Sequence, residues 1–325
     1  MLVSRENATF AHNQTIFFMI NRVLIRLKIV QIVYAYYQNS GKSIKAAEDE
    51  VFFSLSKAYD LYNYLLLLIP GITHYAADRI AFNSMKLRPT DSDINPNLKF
   101  VNNRFVAQLA ENEQLCKFAE KSKVNWVENS DLLRMLLDEI EQSDIYKEYM
   151  ASEESSYEED RELWRKLYKA FIFDNEQLDA LLEEQSLYWN DDKSIVDTFV
   201  LKTIKRFEEG AGAAQELLPE YKDVEDMGFA RKLFHAAITK AEEYRKLMAD
   251  NSKNWDMSRF AFMDVVIMQV ALAEIFTFGD IPLCVTLNEY VEIAKYYSTA
   301  KSGSFVNGLL DSITKKLRSE GKLDK

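Results

Sequence analysis

Helix breakers are scarce in this sequence. Nine glycines and five prolines stand among 325 residues, about 4% where ordinary usage is roughly 12%. Tight hairpins, dinucleotide-binding loops and phosphate cradles all draw on glycine for positive φ or close backbone approach. A chain so poor in both residues, yet 28% charged and 48% hydrophobic, predicts long helices around a sizeable core, as one large domain or two ordinary ones. It excludes an all-β fold and fits a glycine-rich α/β enzyme badly.

Two cysteines, Cys116 and Cys284, cannot build a disulfide framework in a chain this long and show no C-x-x-C spacing, so a reducing, cytoplasmic setting is expected. Leu61 to Ile72 is the longest apolar run. Tyr62, Asn63, Tyr64, Pro70 and Gly71 interrupt it, and it is too short to span a bilayer. Residues 1–18 are polar and lack a signal-peptide pattern; they are read as a dispensable or disordered leader. The first good helix opens at Met19.

The net charge of −11 is unevenly spread. Asp138 to Asp192 hold 18 acidic and 5 basic residues, a net of −13, which leaves +2 elsewhere. Residues 1–46 carry +5 and Lys315 to Lys325 carry +3. Basic ends around an acidic middle point to an anionic partner at the ends.

Apolar periodicity divides the chain into helices. Ile20, Val23, Leu24, Leu27 and Tyr34 form one stripe, with Arg22 and Arg26 four apart on another face, and Gly41 ends the segment. A second helix is expected over 44–69, closed by Pro70-Gly71, with 86–96 a loop. No proline occurs in the 122 residues between Pro96 and Pro219. Helices are expected there over 104–121, 130–149, 159–173, 176–189 and 196–208, with 153–160 an acidic connector. Two long helices should follow, 227–249 and 257–278. Thr286 with Glu289 reads as a capping box after the Gly279–Pro282 turn, and Ser302-Gly303-Ser304 as a break before a last helix on Phe305, Val306, Leu309, Leu310, Ile313 and Leu317. The whole is an all-α helical bundle.

Signs of catalysis are absent. Ser40-Gly41-Lys42-Ser43 imitates the end of a phosphate loop, but Tyr36 stands where the motif needs its first glycine. His12, His74 and His235 are far apart, Asp91 and Asp93 lack the rest of a calcium loop, and no serine sits in a nucleophile elbow. The expectation is no enzyme, no cofactor and no metal. Recognition remains: Arg22, Arg26 and Lys28 near Tyr34, Tyr36 and Tyr37 could bind phosphates and stack unpaired bases.

Three C-terminal blocks carry a resemblance. Asp280-Ile281-Pro282, then Asn288-Glu289 with Val291-Glu292-Ile293-Ala294-Lys295, then Phe305-Val306-Asn307-Gly308-Leu309-Leu310-Asp311 resemble the NusB family of transcription antitermination factors. Arg22-x-x-x-Arg26 followed by Gln31-x-x-Tyr34 is similar to that family's arginine-rich first helix. The resemblance implies two packed three-helix bundles formed by 19–44 and 226–325, with 45–225 an acidic helical insertion. It further implies binding of single-stranded boxA-type RNA in ribosomal RNA transcripts, alongside a small-subunit ribosomal protein acting as NusE, and indirect contact with the RNA polymerase elongation complex. By matching position, Arg22, Arg26, Lys28, Phe305 and Asn307 would contact RNA, with Phe305 and Asn307 beside the arginines. Tyr34 and Asp264 would face the ribosomal protein. Where the family is often basic, this chain has Val23 and Leu24, Met268-Gln269 and Ser304. The alternative is therefore a helical protein-interaction module that has lost RNA binding.

Overall fold

The Asn21 side chain accepts the Leu24 N–H at 2.9 Å and starts α1 (Arg22–Gln38), the capping role that short polar side chains serve. In the computed structural model, which describes residues 19–39, 43–122, 125–221, 224–252 and 260–323, this helix is interior. Leu24 through Val30, Ile32 and Val33 are all buried. A helix apolar on every side belongs in a core, and α2, α11 and α13 pack around it. The leader assigned to 1–18, with His12, lies outside the described residues, as do Ser40, Gly41 and Lys42.

The next helix overrides its sequence signal. α2 (Ile44–Ser84) continues through Pro70, so the expected end at Ile69 is corrected. Proline inside a helix costs about 3 kcal/mol; here Leu68, Ile69 and Ile72 are fully buried, and the burial offsets it. Gly71 admits Trp126, whose Cβ would lie 3.1 Å from any Cβ added there. By length and composition α2 alone among the described helices could cross a membrane. It is instead a core helix packed on α1, α4, α6 and α10.

Short helices follow: α3 (Asp91–Ile94), α4 (Arg104–Ala110), α5 (Glu113–Ser122), α6 (Ser130–Gln142) and α7 (Asp144–Ala151). Ser143 ends α6 and caps α7 through the Tyr146 N–H, splitting the single helix expected over 130–149. α8 (Tyr157–Leu167) starts on the Ser156 cap, so half of the acidic connector is helical. A π turn (Tyr168–Ile172), α9 (Glu176–Gln185), α10 (Lys193–Arg206) and a 3-10 stretch (Glu209–Ala214) complete this half.

α11 (Val224–Thr239) and α12 (Ala241–Asn251) replace the single helix expected over 227–249. α13 (Phe262–Thr277) then packs against both of them and α1. α14 (Leu283–Tyr297) begins at Pro282, not at a capping box: Thr286 is buried and donates to Glu274 at 2.8 Å. α15 (Ser302–Ser319) already includes Gly303, which approaches the Lys295 side chain too closely for a Cβ. No strand occurs among the described residues, and the fold is all-α. Buried apolar residues form one connected cluster from Met19 to Leu317.

Candidate nucleic-acid interface

The three cations of α1 point to three different neighbours. Arg22 is 40% exposed at the side chain, lies over the Phe229 ring at 4.9 Å and faces Asp226 of α11 at 3.7 Å. Arg26, one turn on, is buried, and its guanidinium makes a bidentate pair with Glu274 of α13 at 2.7 and 2.9 Å. Thr286 and Tyr290 of α14 donate to the same carboxylate at 2.8 and 3.1 Å. Burial alone would lower the Arg26 pKa; the Glu274 hydrogen bond and the nearby acids outweigh it and hold the group above its usual value. Lys28 is two residues further, turned roughly 200° from Arg26. Its Nζ is buried against the Asp192 carboxylate at 2.7 Å and donates to the Tyr188 carbonyl at 3.0 Å. Burial pushes the Asp192 carboxyl up to about 6, against the pull of Lys28.

Two of the RNA contacts expected from the sequence are thereby corrected. Arg26 and Lys28 are internal counter-ions at 3% exposure each, so in this conformation neither reaches a phosphate. The expected neighbourhood also changes. α1 and α13 run antiparallel, since Arg26 meets Glu274 while Tyr34 meets Phe262 with ring centroids 5.4 Å apart. Phe305 packs on Phe260 at 4.6 Å, at the start of α13. Arg22 lies at the opposite end, twelve residues or about 18 Å from Tyr34 along the helix axis. Phe305 and Asn307 therefore do not sit beside the arginines.

What the fold does gather is the start of α15, the start of α13 and the end of α1. Tyr34 is half-buried there. Asp264 is buried, and its carboxylate accepts from Ser302 Oγ at 2.9 Å, fixing the first turn of α15. This corrects its reading as a residue facing a partner. Asn307 is exposed and Phe305 half-buried. Gln269, at one of the positions where a basic residue was expected, is fully buried and bonds Tyr37, Ala237 and Arg245. Arg245 stacks on Tyr37 at 4.4 Å and brings a cation from α12 instead.

Along α15, the stripe Ser304, Gly308, Ser312 and Lys316 lines one wall of a groove of about 830 Å³, with Phe305 and Lys301 also on its lining. Asp250, Asn251 and Ser252 at the end of α12 supply the facing wall. Lys301 and Lys316 are exposed. Neither lysine was singled out from the sequence. The signal was present as small residues at strict i, i+4 spacing ending in a lysine, which puts a recess beside the Phe305 ring. Among the described residues no group of three or more His, Cys, Asp or Glu is placed to hold a metal ion.

A NusB family profile matches residues 199–315, from within α10 to the last turns of α15. The transcription antitermination protein NusB of Salinibacter ruber is 34% identical over 132 residues, 39% of this chain and 82% of that protein. That of Geotalea daltonii is 34% identical over 134 residues, covering 41% and 89%. That of Chloroherpeton thalassium is 36% identical over 114 residues, covering 34% and 54%. No solved structure matches the chain. With most of two relatives' length aligned at this identity, the three C-terminal blocks and the all-α core are explained together: the chain belongs to the NusB family.

Proposed function

We propose that this chain is a non-catalytic, cytoplasmic transcription antitermination factor that binds boxA-type single-stranded RNA in ribosomal RNA transcripts, with a small-subunit ribosomal protein as partner. Membership of a family whose relatives are named transcription antitermination proteins supports the first part. The observation that carries RNA binding is the α12–α15 groove, where a half-buried aromatic ring lies between two exposed lysines. Base stacking on an aromatic is worth roughly 1–3 kcal/mol per base, and each phosphate neutralised adds about −0.7 to the log–log salt slope on a single strand. Phe305 would stack a base, Lys301 and Lys316 would take phosphates, and exposed Asn307 would hydrogen-bond a base or sugar. Arg22 would meet only RNA long enough to reach the far end of α1. Tyr34 with Phe262, at the rim of the same region, is the surface proposed for the ribosomal protein.

The test is retention of a short boxA RNA over a salt series, with and without the ribosomal protein. Phe305→Ala should weaken binding about tenfold or more. Lys301→Ala with Lys316→Ala should flatten the slope by about 1.4. If both variants bind as the wild type does, the groove is not the RNA site. A second reading, a protein-interaction module without RNA binding, is favoured by the internal neutralisation of Arg26 and Lys28. Capture of the ribosomal protein with no RNA retained under any condition would establish it.

A further inference from the structure

The segment between α9 and α10, residues 186–192, belongs to the acidic middle of the chain and crosses the cationic helix. Two aromatic anchors hold it. Tyr188 meets Phe53 of α2 edge-on at 5.2 Å. Trp189 stacks on Tyr64 at 5.5 Å and donates from Nε1 to the Lys57 carbonyl at 2.8 Å. The next residues reach α1: Gln31 donates to Asp191 at 2.8 Å, and Asp192 holds the Lys28 ammonium at 2.7 Å. Lys28 and Gln31 are three apart and share a face, turned away from the Arg26–Glu274 pair. Carboxylates binding an ammonium and an amide do chemically what phosphate and sugar oxygens would do there. Position supports the comparison. Tyr297, at the end of α14, donates to the Asp191 carbonyl at 3.4 Å. The hydroxyl of the adjacent Ser298 lies 3.0 Å from that of Ser302, one turn before Phe305. Through the end of α14 the segment is thus linked to the first turn of α15, the helix that carries the surface proposed for RNA.

We propose that residues 186–192 are an autoinhibitory strap: Asp191 and Asp192 occupy the Lys28–Gln31 face of α1 in place of RNA, and lifting the strap extends the RNA surface along that helix. The inference rests on the RNA reading above. Strap opening is read independently of RNA, by hydrogen exchange of the amides of 187–192 in the full chain. Asp192→Lys sets two ammonium groups where the ion pair stood. It should accelerate that exchange and tighten binding of a short single-stranded RNA beyond the charge-matched Glu139→Lys, whose site is exposed on α6. Its salt slope should steepen by about 0.7 per added contact, so the advantage shrinks about 2.6-fold from 50 to 200 mM salt. Lys28→Glu combined with Asp192→Lys restores opposite charges and should return both exchange and affinity to wild-type values. Asp191→Ala, which cuts only the Gln31 tie, should move both readouts the same way by less. The strap is refuted if exchange is unchanged in Asp192→Lys, or if it accelerates with no gain over Glu139→Lys. If wild type and every variant retain no RNA, the RNA reading falls first, whatever the exchange reports.

Discussion

Glu274 is the residue on which the centre of the C-terminal half turns. It is fully buried and receives four hydrogen bonds, two from Arg26 and one each from Thr286 and Tyr290. Breaking a buried ion pair from one side leaves the other charge uncompensated and costs about 3–5 kcal/mol. Arg26→Ala and Glu274→Ala should each lose that much in chemical denaturation. Arg22→Ala removes an exposed, loosely paired cation and should cost under about 1 kcal/mol. Two arginines one turn apart thus carry different burdens. A smaller loss for Arg26→Ala than for Arg22→Ala would contradict the assignment of Arg26 to the core. Sequence spacing gave both arginines one face of a helix correctly, but nothing local says that Glu274, 248 positions away, closes over one of them.

At the scale of elements, α2 shows how packing overrules punctuation. Replacing Pro70 by Ala removes the ring and restores an N–H inside the helix, so Pro70→Ala should raise thermal stability, by up to about 3 kcal/mol. A drop in melting temperature would mean that a proline-induced bend is needed to seat Trp126. α2 is also clasped to α11 near its start. Glu48 accepts from Arg231 at 2.6 Å and pairs with His235 at 3.0 Å. The Arg231 hydrogen bond, then that of His235, hold the Glu48 carboxyl below its usual range. A carboxyl depressed in the folded state contributes stability above its ordinary pKa and loses it as pH falls through the depressed value. Melting temperature followed down the acid limb should therefore fall less steeply for Glu48→Gln than for the wild type.

At the scale of the molecule, the acidic stretch and the C-terminal helices share one apolar core. α1 is enclosed by both, with α2 and the 186–192 segment on some sides and α11 and α13 on others. Unfolding should accordingly be a single cooperative transition, with calorimetric and van't Hoff enthalpies equal. Excising 45–198, which leaves the matched profile whole, would strip α2 from the Ile and Val faces of α1, and near-UV circular dichroism of the remainder should lack fixed tertiary packing. Two separate transitions, or a well-packed remainder, would show the middle to be an independent unit. Most helices were legible from apolar periodicity and the scarcity of glycine and proline. Misplaced ends occurred where a short polar cap, such as Ser143, divides a continuous pattern, or where burial carries a helix past a proline.

By itself the sequence determined the all-α class, the family likeness of the DIP, NE and FVNG blocks, and the placement of the negative charge in the middle of the chain. These follow from local propensities and residue order, which a linear chain carries in full. The tertiary structure alone decided which cations face water. A lysine or arginine is a surface charge or a buried counter-ion according to what packs against it, and for Arg26 and Lys28 the partners come from 248 and 164 positions away. The surface proposed for RNA therefore lies at the groove beside Phe305 and not on the first helix, and the acidic middle takes its place as part of what covers α1.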